Sequence, residues 1–277
     1  LQWFPGHMKK AQRLIEENLK LVDVAAELLD ARIPVSSANP MLQEILAGKP
    51  RVVVLGKSDL ADPAMTKAWI RHYRAQEIPA VAVDAVQGKG TKQLVKLIEE
   101  LARPKTEKLV SQGARPRAAR VMILGIPNVG KSSLINRLAG AARTKTEDKP
   151  GVTRAKQWIR IGKNLELLDT PGILWPKFED KRVGQYLAAL GAIRTEVFDN
   201  EELALLMTGL LEERYPGMLH DHYGIEESAD GVAMIYGVAE SRHIIKAGGE
   251  VDYGRAAALI LDDMKNGRLG RLSLERP

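Results

Sequence analysis

The chain has 277 residues, 45% of them hydrophobic and 27% charged, with no cysteine. That length and mix support one large core or two moderate ones, and the lack of cysteine excludes disulfide frameworks, thiolate-ligated metals and thiol nucleophiles. The histidines show no metal-ligand spacing, and no apolar run reaches the roughly 18–20 residues that span a bilayer. Leu1–Met8 lacks the charged-then-apolar order of a signal peptide, so the expectation is a cytoplasmic protein with no membrane partner.

The net charge of +6 is uneven, +12 over residues 1–176 and −6 over residues 177–277. A basic body suggests a polyanionic partner, while the acidic remainder argues against RNA binding there. An ordinary solvated basic surface is the competing reading.

Lys9–Lys20 reads as an amphipathic helix, with Leu14, Ile15 and Leu19 apolar and mostly polar residues between them. Leu21–Ala31 is rich in Ala and Leu and reads equally as more helix or as a buried strand. Arg51–Leu55 is a short β-branched strand entered from Pro50 and left through Gly56, and Ile78–Val83 is another. Ala64–Gln76 between them is helical, as is Thr91–Ala102 after the Gly88-Lys89-Gly90 turn. Arg103–Arg120, with Pro104, Gly113 and Pro116 and many basic residues, reads as a linker.

Val121–Leu124 predicts a buried strand, followed by a glycine-containing loop and a helix from Lys131 to about Ala139. Trp158–Ile161 and Leu165–Leu168 flank Gly162-Lys163-Asn164 as a hairpin. Beyond Trp175 the pattern is helical, with Asn200 placed to cap Glu201–Arg214 and Asp252 to cap Tyr253–Lys265. Strand–helix alternation followed by helices alone predicts an α/β domain over residues 1–176 and a smaller all-α domain over 177–277.

The strongest motif is Gly125-Ile126-Pro127-Asn128-Val129-Gly130-Lys131-Ser132, a full match to the phosphate loop. Its glycines let backbone N–H groups turn inward and cradle phosphate oxygens at a helix N-terminus. Lys131 would neutralise the β and γ phosphates, the Ser132 hydroxyl would ligate Mg²⁺, and Val129, Gly130 and Ser133 complete the cradle. Asp169-Thr170-Pro171-Gly172 follows a strand downstream, where Asp169 would hold Mg²⁺ through water and the Gly172 N–H would meet the γ-phosphate. Thr153, in Pro150-Gly151-Val152-Thr153-Arg154, would sense Mg²⁺ and the γ-phosphate from a loop.

Gly56-Lys57-Ser58-Asp59 resembles the guanine-reading motif Asn-Lys-x-Asp. The Asp59 carboxylate accepts from the N1–H and 2-amino group of guanine, a pattern adenine lacks, and Lys57 lays its aliphatic stem along the base. Asp84 and Ala85, at the end of the next strand, resemble the companion loop whose backbone N–H contacts the guanine O6. Gly56 stands where that motif has asparagine, so the expectation is guanine preference with reduced tightness. Ala85 lacks a hydroxyl often found at its position. In a standard GTPase the phosphate loop comes first and the base-reading loops last. Here the order is reversed, the pattern of a circular permutation, which compact domains tolerate because their termini lie close together.

With Trp3-Phe4-Pro5-Gly6-His7-Met8, Asp30-Ala31-Arg32-Ile33-Pro34 and Asp169-Thr170-Pro171-Gly172-Ile173-Leu174-Trp175-Pro176, the chain resembles the bacterial ribosome biogenesis GTPase A family, the YlqF-type proteins. The similarity runs through Gly248-Gly249 and Gly270-Arg271-Leu272-Ser273. It implies a circularly permuted P-loop GTPase domain, a three-layer α/β/α fold, followed by a helical RNA-binding domain. It also implies a monomer that binds GTP and GDP with Mg²⁺ and acts late in maturation of the large (50S) ribosomal subunit, on the precursor particle and its rRNA rather than on DNA, with particle-stimulated hydrolysis.

Ile173 occupies the place where many GTPases keep a water-orienting glutamine, so His7 is the catalytic group the family offers. Asn128 resembles asparagines that help coordinate K⁺ beside the phosphates. Lys9, Lys10, Arg13, Arg115, Arg117, Arg120, Arg268 and Arg271 are the expected RNA contacts. Two further readings stay open: an RNA-binding scaffold with a weakened nucleotide site, and an NTPase of altered base choice.

Overall fold

A central strand, β1 (Val24–Asp30), is buried along its whole length and pairs in parallel with a strand on each side. Such a strand shows no alternation of apolar and polar residues, because both of its faces are covered. That is why Leu21–Ala31 reads ambiguously in the sequence. The computed structural model describes residues 5–140, 158–168, 180–193, 198–226, 228 and 230–277, with side chains from residue 12 onward.

On one side of β1 lies β2 (Arg51–Gly56) and beyond it β3 (Ala80–Ala82). On the other side β4 (Ala119–Leu124) pairs with β6 (Leu165–Leu168), and the edge strand β5 (Trp158–Ile161) joins β6 as the expected antiparallel hairpin. The sheet order is β3-β2-β1-β4-β6-β5. All its pairings but the β5–β6 one are parallel, so the loops after β2, β3 and β4 leave from the same end of the sheet.

One face of the sheet, with Ala25 and Met122, packs on Ile15 and Leu19 of α1 (Pro5–Leu19) and Leu42 of α3 (Pro40–Ile45). Along the same face Leu29, Val53 and Leu55 pack on Trp69 of α4 (Pro63–Ala75). The alternate residues Val24, Ala26, Leu28, Val52 and Val54 are equally buried on the opposite face. There α5 (Thr91–Ser111) lies along β1, β2 and β4, and α6 (Lys131–Ala139) packs near β5.

The expected linker over Arg103–Arg120 is corrected here: α5 runs through Pro104 to Ser111 and β4 begins at Ala119, so only residues 112–118 are loop. Pro104 lies on the exposed side of the helix, where the carbonyl it leaves unbonded can face water. Just past it, Lys105 donates to the Val22 carbonyl and pairs with Asp23 at 3.0 Å, which anchors the helix to the start of β1. The fully buried Asp23 carboxylate also takes two bonds from the Arg117 guanidinium, at 2.8 and 2.9 Å, and one from the Arg120 N–H. One acid therefore ties helix, connecting loop and two strands together.

The chain divides into two compact units, Leu1–Lys177 with Glu275–Pro277, and Phe178–Leu274. The last three residues, placed with the C-terminal region by the sequence, thus belong with the first unit. The Glu275 carboxylate accepts from the backbone N–H groups of Val35 and Ser36 and from the Ser36 hydroxyl, at the short helix α2 (Pro34–Ser37). Its carbonyl receives the Trp69 indole N–H at 3.3 Å.

The second unit is helical: α7 (Lys181–Ala189), α8 (Asn200–Arg214), α9 (Met218–Tyr223), α10 (Gly231–Ser241) and α11 (Tyr253–Lys265). The cap of α8 is Asp199 rather than the expected Asn200, its carboxylate accepting from the N–H groups of Glu201 and Glu202. Asp252 caps α11 as expected, through the Arg255 N–H. Within this unit Arg268 forks onto Asp262 and Asp263, and the buried Tyr223 hydroxyl donates to Asp263.

Burial alone would raise the Asp23 pKa, but hydrogen bonds from Arg117, Arg120 and Lys105 outweigh it and hold the carboxyl down at about 2. A group depressed in the folded state stabilises above its unfolded value and loses that contribution as pH falls through the folded one. Asp23 should therefore contribute roughly 2 kcal/mol at neutral pH, lost between about pH 4 and pH 2. Urea unfolding across that range, for the native chain and Arg117→Ala, checks this: the variant's acid limb should move to higher pH. Superimposable acid limbs would contradict the assignment.

Candidate functional site

The site is built at the end of the sheet where the parallel strands finish, the position at which open α/β sheets bind ligands. After β4 the chain enters the phosphate loop, which ends at the N-terminus of α6. Gly125 is buried there, and a Cβ on it would sit 2.7 Å from the Leu28 carbonyl, so no other residue fits this close passage over β1. Asn128 and Gly130 both adopt positive φ, +57° and +106°, and their turns shape the loop. Gly130 caps α6 with no side-chain hydrogen bond, so no side chain of the cap competes for the helix's first N–H groups. Lys131 begins α6 and is half-buried, Val129 is buried beneath the loop, and Ser132 and Ser133 are exposed on the first turn. The loop thus has the shape that a phosphate cradle requires: left-handed turns leading into a helix N-terminus.

After β2, Lys57 turns the chain with φ +53°, and Ser58 and Asp59 follow half-buried. The Ser58 N–H donates to the Val83 carbonyl, which binds this loop to the one after β3. The Lys57 ammonium donates to the Asn128 carbonyl at 3.2 Å. It thereby reaches across the end of β1 from the base-reading loop to the phosphate loop, and brings the two motifs into one site.

In the loop after β3, Asp84 is buried and its carboxylate accepts from the Val86 and Gln87 N–H groups, both at 2.9 Å. Asp84 therefore shapes the loop, in which Ala85 is half-buried. Gly90 is obligatory: its φ is +79° and a Cβ would fall 2.0 Å from the Ala82 carbonyl. Sequence reading missed Arg137, on the exposed side of α6, whose Nε donates to the Ala85 carbonyl at 2.8 Å. It links the phosphate-loop helix to the companion loop, and no motif marks it.

Thr153, Asp169, Gly172 and Ile173 lie outside the described residues, and His7 is described only as part of the α1 backbone. Among the arginines expected to contact RNA, Arg117, Arg120 and Arg268 are engaged by acids of the chain. Arg117 is forked onto Asp23, and Arg120 bonds Glu166 at 3.1 Å with its guanidinium 4.8 Å from the Trp158 ring centre. Arg268 is held by Asp262 and Asp263. Arg13, Arg115 and Arg271 are exposed, and the side chains of Lys9 and Lys10 lie outside the described residues.

The family profile described as 50S ribosome-binding GTPase matches residues 120–231. Ribosome biogenesis GTPase A of Bacillus licheniformis is 48% identical over all of this chain and 98% of its own length. The chain belongs to the ribosome biogenesis GTPase A family. The cattle protein named mitochondrial ribosome-associated GTPase 1 is 32% identical, over 99% of this chain and 88% of its own. In three dimensions the GNP-bound YlqF of T. maritima matches 97% of this chain and 98% of its own, with a TM-score of 0.67 and 28% identity. The circularly permuted GTPase fold expected from motif order is thus the family's fold. The profile begins at Arg120, close to the start of β4, after the two loops that follow β2 and β3.

Gly56, where a guanine-reading motif carries asparagine, is enclosed: a Cβ there would come within 2.8 Å of the Leu28 Cδ1. Leu28 is itself 2% exposed, so it cannot swing away into solvent. Restoring the asparagine alone should therefore strain the core by about 1–3 kcal/mol and recover little affinity. Gly56→Asn with Leu28→Ala, which makes room for the amide, should tighten GDP binding by about 5- to 150-fold over Gly56→Asn alone. Calorimetric GDP titration of both variants tests this, and equal affinities would rule the packing account out.

Proposed function

We propose that this chain binds GTP and GDP at the sheet end described above, hydrolyses GTP, and uses hydrolysis as a checkpoint or release switch late in maturation of the large (50S) ribosomal subunit. The observation that carries the reading is the Lys57 bond to the Asn128 carbonyl, which joins a base-reading loop to a phosphate loop in one site. Family membership gives the reaction and the setting. The precursor particle and its rRNA are the partner, reached by a cytoplasmic monomer. Among the described residues no helix is long and apolar enough to cross a membrane.

In this reading Lys131 and the N–H groups of Gly125, Asn128, Val129, Gly130, Ser132 and Ser133 hold the phosphates. Asp59, Lys57, Ser58 and Gly56, with Asp84 and Ala85, hold the base. Mg²⁺ would be held by Ser132, with Thr153 and Asp169. The exposed Ser132 hydroxyl, in the first turn of a helix whose cap adds no side-chain bond, is the hard oxygen donor such an ion takes. When bound, the ion neutralises charge on the β and γ phosphates. Asn128, exposed and in a left-handed turn, is the residue that would help coordinate K⁺. Gly172 would meet the γ-phosphate and His7 would serve in place of the missing glutamine. Arg13, Arg115 and Arg271 are exposed and, with Lys9 and Lys10, would face the RNA; Arg117, Arg120 and Arg268 are bound to acids within the chain.

A second reading is favoured by one observation, the enclosure of Gly56 by Leu28: a scaffold in which a weakened nucleotide site acts only as a ligand-responsive switch. GTP turnover with and without 50S particles separates the two. The GTPase reading expects turnover to rise with particles, and the rise to fall by about 10²–10⁴-fold in His7→Ala. GTP binding with turnover that never exceeds background would leave the scaffold standing instead.

A further inference from the structure

The Asp30-Ala31-Arg32-Ile33-Pro34 segment contributes no residue to the site as assigned above, yet it ends the strand that separates the two halves of that site. The Asp30 side chain is 5% exposed and that of Arg32 1% exposed. Oδ1 of Asp30 accepts from the Arg32 backbone N–H at 3.1 Å and from its Nε at 3.0 Å, while Oδ2 accepts from Nη2 at 2.9 Å. The backbone of the turn is fixed as well. The Asp30 N–H donates to the Ser37 hydroxyl, the Ala31 N–H to the Gly56 carbonyl, and the Ile33 N–H to the Asp30 carbonyl. Arg32, buried and forked on this carboxylate, is not placed to reach a phosphate.

The carboxylate has one more partner. The Lys57 ammonium lies 3.1 Å from Asp30 Oδ2, on the same oxygen that takes Arg32 Nη2. Burial alone would raise the Asp30 pKa, but the charges and hydrogen bonds of Arg32, with the charge of Lys57, hold it down at about 2. The acid is therefore ionised at neutral pH. A lysine has a flexible four-carbon stem and loses rotamer freedom whenever it is held in one geometry. Here the stem is pinned at its far end by two acceptors, Asn128 O from the phosphate loop and Asp30 Oδ2 from the intervening strand.

We propose that Asp30 is a positioning residue for guanine-nucleotide binding, locked by Arg32 so that its second oxygen fixes the Lys57 stem as the surface on which the base lies. The proposal rests on the nucleotide-binding reading of this site. In it, the buried Asp30–Arg32 pair is a rigid bracket, and the variable it controls is the position of Lys57. The alternative is that Asp30 only neutralises Arg32 and supports the turn.

A double-mutant cycle on GDP affinity separates these, because coupling is read as non-additivity between neighbouring groups. Lys57→Met keeps most of the stem and removes the ammonium; it should weaken GDP binding by about 10- to 100-fold. Asp30→Asn should cost about 5- to 30-fold in the native background and less than about twofold in the Lys57→Met background. Because Asp30→Asn removes the counter-charge of a buried arginine, Asp30→Glu is measured alongside it. That variant keeps the charge against Arg32 but moves it by one methylene, and should show the same dependence on Lys57. Equal fold-losses in both backgrounds, for whichever variants fold, would overturn the proposal. So would native affinity in Asp30→Glu together with native affinity in Asp30→Asn. If the native chain itself failed to bind GDP, the nucleotide-binding reading would fall, a result distinct from additivity in a chain that binds.

Discussion

The nucleotide site depends on a single constraint of sheet topology: the strand that carries the base-reading loop and the strand that carries the phosphate loop are not neighbours. β1 stands between them, paired with β2 on one side and β4 on the other. Any site that uses both loops must close over the end of β1. Two features make the closure possible. Gly125 passes so near the Leu28 carbonyl that a side chain would collide with it, and Lys57 spans the gap to the Asn128 carbonyl. Circular permutation changes which loop comes first along the chain without altering this arrangement, since all three loops leave the same end of a parallel sheet.

β1 is held at both ends by buried acids. At its start Asp23 gathers Arg117, Lys105 and the Arg120 N–H, and at its end Asp30 takes Arg32 and Lys57. At Asp23 the hydrogen bonds from Arg117, Arg120 and Lys105 outweigh the cost of desolvation, and at Asp30 the charges and hydrogen bonds of Arg32, with the charge of Lys57, do so. Their effect is also geometric. Asp23 fixes the connection from α5 into β4, so the phosphate loop starts from an anchored strand. At the other end of β1, Glu275 satisfies the N–H groups of Val35 and Ser36, just past the Asp30–Pro34 turn. The chain thus leaves the first unit, forms the helical one, and returns its last residues to a turn two positions from Ile33.

What could be read from the sequence was what has a local signature. The phosphate loop, the β2 strand with its Gly56-Lys57-Ser58-Asp59 exit, the β5–β6 hairpin and the Asp252 cap all follow from residues adjacent in the chain. The β1 strand was ambiguous because burial on both faces erases alternation. The helix through Pro104 was hidden because its anchors, Val22 and Asp23, are distant in sequence. The choice of Asp199 over Asn200 as a cap turned on one residue of register, which spacing alone does not set. Arg137, Asp30 and Glu275 had no legible role, since each acts on a partner brought near only by the fold. The arginines expected to face RNA show the same limit from the other side. Charge is visible in a sequence, but whether Arg117 or Arg268 is already bound to an aspartate is not.

The central claim is that the two loops joined across β1 form one guanine-selective site, with Asp59 reading the base in spite of Gly56. Equilibrium titration of the purified chain with GDP and with ADP tests it most directly. GDP should bind at least about 100-fold more tightly than ADP, the discrimination expected when buried hydrogen-bonding groups reject a base that cannot pair with them. Comparable dissociation constants for the two nucleotides would contradict the account.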